Sequence, residues 1–206
     1  MKVELLSVTP DAEKLIETAA RTAYRSFAKQ KIGTEKKIIR LVISKGHYSV
    51  LEHAYATFKI SGVSRAFTHQ LVRHRLCSFT QQSQRYVNES KFSYIEPSSI
   101  KTNPNTHTMF TKFMKESKKV YLELQRSGIK NEDARFVLPN AVESQIVVTA
   151  NIREWRHIIK LRGNPDAQWE IRNAAIQILK IFKIKMPTIF EDFDIDDKKK
   201  VIRNKG

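Results

Sequence analysis

HAYATFKISG, running from His53 to Gly62, alternates apolar with small or polar residues and predicts a strand. Val142, Ser144, Ile146 and Val148 alternate in the same way, which predicts a second strand paired with the first. Most other periodic segments are helical. Leu15, Ile16, Ala19, Ala20 and Ala23 share one face between Ala12 and Tyr24, behind Thr9 as hydroxyl cap and Pro10 in the first turn. A capping Thr34 opens a second helix that Gly46 closes, and Val63, Phe67 and Leu71 mark a third from Val63 to His74. Further helices are predicted from Phe110 to near Gly128, from Glu132 to Phe136 before Pro139, and from Asn151 to Leu161. Asp166 is the expected cap of a long helix toward Ile184, and the polar stretch from Ser78 to Ser99 reads as loop with at most short elements. Many helices around a small, mainly antiparallel sheet make an α+β chain.

The bulk numbers narrow the class. At 206 residues and 23.9 kDa the chain favours a single domain, expected over 1–190, with a charged C-terminal tail over 191–206 whose basic end from Lys198 is expected to be mobile. A chain of this length buries roughly 70% of its unfolded surface, so it supports its own core. With 41% hydrophobic and 28% charged residues it is neither disordered nor collagenous. No apolar run reaches the roughly 20 residues of a membrane helix, and MKVELLSVTPDAEK has no export signal, so a cytoplasmic protein is expected. The lone Cys77 rules out an internal disulfide framework.

Thirty-seven Lys and Arg against 21 Asp and Glu give a net charge of +16, a field that draws polyanions. Much of the excess is scattered lysine, which reads as solvated surface. The charge alone favours a nucleic-acid module, but the basic string RHRLCSFTQQSQRY (Arg73 to Tyr86) interleaves only Phe79 and Tyr86 as stacking platforms. Nucleic-acid contact beyond weak, nonspecific attraction is therefore not expected. That string packs three arginines, a histidine, two serines and three glutamines into fourteen residues, a set able to converge on one anion. His47 and His53 do not read as a metal pair, and no metal set is expected.

RHR, seven residues, then Ser-x-Arg-Tyr resembles the signature of the flavin-dependent thymidylate synthases. AARTAY (Ala19 to Tyr24) and GHYSVLEH (Gly46 to His53) upstream, then ARFVLP (Ala134 to Pro139), NIR (Asn151 to Arg153), Leu161-Arg162 and AQWEI (Ala167 to Ile171) downstream, are similar to the family in the same order. The resemblance covers roughly Ala19 to Pro187. It implies a homotetramer with FAD sites between subunits, converting dUMP to dTMP with 5,10-methylenetetrahydrofolate as carbon donor and NADPH as reductant, and releasing tetrahydrofolate.

Residue by residue, the resemblance puts His47, Ser49 and Glu52 beside FAD, with Arg73 and His74 positioning the flavin and Arg75 meeting its phosphates. Asn151, Arg153 and His157 match a further FAD-contacting set; independently, Arg153 and His157 sit four apart and share a helix face. For dUMP it implies Gln70, Arg73, the loop Gln81, Gln82, Ser83, Gln84 and Arg85 from a neighbouring subunit, and Arg135. Arg162 matches the arginine at the uracil ring and is the expected catalytic group, stabilising negative charge as it grows there. Cys77 is not expected to be the nucleophile that folate-only enzymes use, and Ser83 lacks an evident base, so it is expected to bind and orient.

Three positions depart from the pattern: Ala23 replaces a small polar residue, His157 stands where other members can have Asn, and Gln81 occupies a place that is acidic in some members. A member that binds FAD and nucleotide without turnover is the other reading, and the retained Arg85, Arg135 and Arg162 oppose it. Trp169 is expected to anchor a helix in the core.

Overall fold

The computed structural model describes residues 1–205. In chain order the elements are β1 (Lys2–Val8), α1 (Ala12–Thr22), α2 (Thr34–Ser44), β2 (Tyr55–Ser64), α3 (Arg65–Leu71), β3 (Ser78–Gln81), α4 (Ser98–Lys101), α5 (Pro104–Arg126), α6 (Asn131–Ala134), β4 (Glu143–Asn151), α7 (Ile152–Arg162), α8 (Trp169–Lys185), β5 (Phe193–Asp196) and β6 (Val201–Asn204). Short 3₁₀ turns cover Phe27–Lys29, Tyr48–His53 and Arg135–Val137. The main sheet has the order β1-β2-β4-β3, so the two strands read from alternation are neighbours. This is the α+β class expected. No described helix is long and apolar enough to cross a membrane.

The chain forms two compact units. The first comprises residue 1, 61–71 and 80–146; the second comprises 2–60, 72–79 and 147 onward. In the second unit, the inward positions of β2 (Ala56, Phe58 and Ile60) are fully buried. Phe58 meets Trp155 and Phe182 edge-on, with ring centroids 5.0 and 5.2 Å apart. Trp155 satisfies its indole N–H on the Ala56 carbonyl at 3.0 Å. In the first unit, Phe92, Met114 and Val142 form a core flanked by Tyr94, Phe110, Leu138 and Ala141. There α5 begins on Asn103, whose side chain accepts from Asn105 N at 2.9 Å, with Pro104 at its first position.

Several local expectations need correction. Thr9 does not cap α1; its hydroxyl accepts from Tyr55 N at 2.9 Å, and Asp11 precedes the helix in a left-handed conformation. Thr34 does not cap α2 either: Gly33 holds the cap position, and the Thr34 hydroxyl accepts from Lys31 N at 3.1 Å while donating to Glu17 Oε1 at 2.6 Å. The helix read from Val63 to His74 is shorter: Val63 and Ser64 complete β2, Ser64 Oγ caps α3 by accepting from Phe67 N, and His74 lies in the turn beyond. The expected loop from Ser78 begins with the short strand β3. Gln168, not Asp166, caps α8, accepting from Glu170 N at 2.9 Å. Trp169 is 40% exposed because Glu170 and Ile171 take the inward positions of that first turn.

β1 carried no period-2 signal because its burial does not alternate. The charged tail contains the antiparallel hairpin β5–β6, and the end expected to be mobile from Lys198 supplies β6. Val201 and Ile202 bury amid the charges, and Ile202 N donates to the Gly163 carbonyl at 2.8 Å. Gly206, the last tail position, lies outside the described residues.

Candidate active site

The second unit gathers the residues expected at the flavin. Gly46, at φ +70°, closes α2 with a paired motif: Gly46 N bonds Ile43 O and His47 N bonds Val42 O. That reversal puts His47 at the mouth of the 3₁₀ turn carrying Ser49 and Glu52, with Leu51 buried beneath them. Asn151 caps α7 by accepting from Glu154 N at 2.8 Å. The helix then sets Arg153, His157 and Lys160 along one side of a cleft of about 250 Å³, completed by Tyr48, Leu51, Arg156, Phe193 and Asn204. Arg153 Nη1 pairs with Glu52 Oε1 at 2.5 Å, joining two residues assigned to one ligand from distant sequence. Arg156 is committed elsewhere, forked onto Asp192 at 2.6 and 2.8 Å.

A second cluster forms around His74. Arg162 Nε donates to His74 Nε2 at 3.0 Å, and His74 Nδ1 lies 3.3 Å from Glu154 Oε1. A guanidinium N–H only donates, so Nε2 must be the unprotonated nitrogen. Burial, then the charges of Arg162 and His157, lower the His74 pKa to about 4, so the ring is neutral at pH 7. Burial holds Glu154 above the usual carboxylate range, opposed by His157 and Arg153. Arg162 is pulled below its ordinary value by burial and then by Arg73, which locates Arg73 in its field. Arg73 and Arg75 are both exposed.

Cys77 adjoins this cluster, its N–H donating to the His74 carbonyl at 3.2 Å. Burial, then the Glu154 charge, push its thiol up to about 12. Such a thiol is inert as a nucleophile at neutral pH.

The first unit holds the loop after β3. Gln82 N pairs with Gln145 O at 3.0 Å, and the Gln82 side chain donates to Glu89 Oε1 at 3.1 Å. Arg65 Nη1 approaches the Gln82 carbonyl at 3.4 Å, and Gln81 Nε2 donates to Thr68 Oγ1 at 2.9 Å. Ser83 Oγ accepts from Arg85 N at 3.2 Å, which turns the chain and exposes the Arg85 fork. Glu132 holds two arginines: its carboxylate pairs with Arg85 Nε at 2.7 Å, and its carbonyl accepts from Arg135 Nε at 3.0 Å. Gln84 turns inward and is buried, while Gln70 is half-buried.

Over residues 4–188 the chain matches the family model described as "Thymidylate synthase complementing protein". A flavin-dependent thymidylate synthase of Geobacter sulfurreducens is 44% identical over 200 residues, covering 93% of this chain and 86% of the relative. Those of Clostridium tetani and Thermococcus onnurineus are 38% and 40% identical, covering 93% and 87% of this chain and 86% and 77% of the relatives. The chain belongs to the flavin-dependent thymidylate synthase family.

The residues present fit the flavin dinucleotide that the family name implies. The cleft sets cationic Arg153 and Lys160 against the apolar and aromatic Leu51, Tyr48 and Phe193, a donor set suited to a diphosphate joined to planar rings. Sequence reasoning missed Arg65, Glu132 and Glu154. Arg65 had a usable signal: a cation in the first turn of a helix opposes the helix dipole and needs another purpose. Burial and then the charge of Arg135 hold Arg65 below its ordinary value. Glu132 and Glu154 look like ordinary first-turn acids, and nothing local marks them.

Proposed function

We propose that this chain catalyses the reductive methylation of dUMP to dTMP, with 5,10-methylenetetrahydrofolate as carbon donor and NADPH as reductant, releasing tetrahydrofolate. It acts in the cytoplasm as a homotetramer whose subunits jointly complete each site. The observation that carries this reading is the family match over residues 4–188, and the geometry that supports it is Arg65 on the Gln82 carbonyl with Arg85 and Arg135 both held by Glu132. Mutually repelling guanidinium groups are stabilised by an anion, and the dUMP phosphate monoester is one. Gln70, Gln81, Gln82, Ser83 and Gln84 orient the nucleotide around that anchor, and Arg73 is a further dUMP-binding residue.

FAD, when bound, supplies the electron-carrying capacity between NADPH and the transferred carbon. His47, Ser49, Glu52, Arg73, His74, Arg75, Asn151, Arg153 and His157 hold it, with Arg153 positioned by its pairing to Glu52. Arg162 stabilises negative charge growing on the uracil ring, its side chain oriented by the contact with neutral His74. Burial pushes the Cys77 thiol up to about 12, which supports activation of the pyrimidine without a cysteine adduct.

The test is the folate product. Purified protein with FAD, dUMP, methylenetetrahydrofolate and NADPH is expected to form dTMP and tetrahydrofolate in equal amounts. Dihydrofolate as product, or dTMP formed without FAD, would overturn the reading.

A further inference from the structure

His74, Glu154 and His157 have a relationship beyond flavin contact. One ligand atom from each lies within 4.8 Å of the other two. Glu154 and His157 are one turn apart on α7 and project to the same side, and His74 meets them from the turn after α3. The two imidazole rings lie edge to face at 5.7 Å. His74 and Glu154 are buried and His157 is exposed, so the cluster has a packed floor and an entrance. Two imidazoles and one carboxylate with an open side form a donor set that borderline divalent ions accept, water filling the remainder.

We infer that His74, Glu154 and His157 form a binding site for a divalent transition-metal ion of the Zn²⁺ class, and that occupying it releases Arg162 from His74. The second half follows from imidazole chemistry. A neutral metal-bound imidazole gives one nitrogen to the ion and carries its proton on the other. An ion on Nδ1, beside Glu154 Oε1, makes Nε2 a donor, which cannot accept from Arg162 Nε. An ion on Nε2 takes the place of Arg162 outright. Either way the 3.0 Å contact is lost. Arg153 and Arg162 contribute positive charge around the site, so affinity falls below that of a closed structural zinc centre. The consequence for catalysis rests on the proposed function: with His74 and His157 facing FAD and Arg162 facing substrate, the ion competes with the flavin and inhibits.

The test uses the full chain freed of flavin, equilibrium dialysis against ZnCl₂, and the variants His157→Asn and Glu154→Gln, with far-UV circular dichroism to confirm folding. Wild type is expected to hold one Zn²⁺ per chain. Each variant should bind more weakly by at least the roughly 10–100-fold that losing even an outer-sphere partner costs. His157 is exposed, so its substitution keeps the test available if Glu154→Gln fails to fold. In a parallel FAD titration, each protein compared with its own zinc-free value, zinc should raise the apparent dissociation constant of wild type at concentrations that leave that of His157→Asn where it stood without zinc. Equal zinc binding by wild type and His157→Asn would overturn the site. Zinc lost from His157→Asn with wild-type FAD affinity indifferent to zinc would overturn the competition. A protein that binds no FAD at all would defeat the proposed function, while the dialysis ratio still decides the ion site.

Discussion

Arg162 donates from Nε to Nε2 of His74 at 3.0 Å, and this contact fixes both side chains. The imidazole is held neutral with its proton on Nδ1, toward Glu154 Oε1 at 3.3 Å. The guanidinium plane is in turn held by a buried ring, so the expected catalytic charge is oriented before substrate arrives.

Arg162→Ala should retain FAD and lose turnover. Removing one preorganised donor to a developing anion costs roughly 10²–10³ in kcat. Flavin absorbance of the purified variant and its dTMP formation report the two effects separately. Near-normal turnover would remove Arg162 from the mechanism.

Cys77 should be dispensable for chemistry and slow to alkylate. A thiol moved from 9.0 to about 12 carries about a thousandfold less thiolate at pH 8. Iodoacetamide labelling of native protein, compared with urea-unfolded protein, measures this directly. Cys77→Ala should keep substantial activity; its abolition in a folded variant would contradict the assignment.

Gly163→Ala should destabilise the hairpin end of the second unit. An added Cβ meets Ile202 Cβ at 2.5 Å and the Ile159 carbonyl oxygen at 2.7 Å. Overpacking of this kind costs about 1–3 kcal/mol, and each kcal/mol lowers the melting temperature by about 2–4 °C at this chain length. Calorimetry should show a fall of several degrees. An unchanged melting temperature would mean that β6 is not packed there.

Glu89→Gln should alter the pH dependence of stability with a defined sign. Burial raises the Glu89 pKa, so the folded state binds its proton more tightly than the unfolded chain. That stabilisation is present below the ordinary value of 4.5 and is lost as pH rises through the folded pKa. Glutamine removes the titration, and its carbonyl still accepts from Gln82 Nε2. Urea denaturation from pH 4 to 7.5 should show the variant gaining on wild type as pH rises. A difference that stays flat or shrinks would contradict the burial argument.

The sequence disclosed the fold where periodicity was strong and neighbours did not compete. Residues 53–62 and 142–148 alternate because one face of each strand is buried, and the structure sets β2 beside β4. Thr9 and Thr34 misled because a hydroxyl near a helix start caps it only if no other N–H claims the oxygen, and the Tyr55 and Lys31 amides claim these two. Val201 and Ile202 were hidden by the charges around them, although two adjacent apolar residues were enough to seat β6 on Gly163.

At the candidate site, the signature residues were legible because their types and order are unusual. Arg65, Glu132 and Glu154 were not, because their importance comes from what they touch after folding. The pairing of Arg153 with Glu52 was likewise invisible, since 101 positions separate the two residues.

Tritium release from [5-³H]dUMP, with methylenetetrahydrofolate and NADPH and with or without added FAD, tests the central claim most directly. Release is expected to depend on FAD and to fall sharply in Arg162→Ala. No release in either arm from folded protein would contradict that claim.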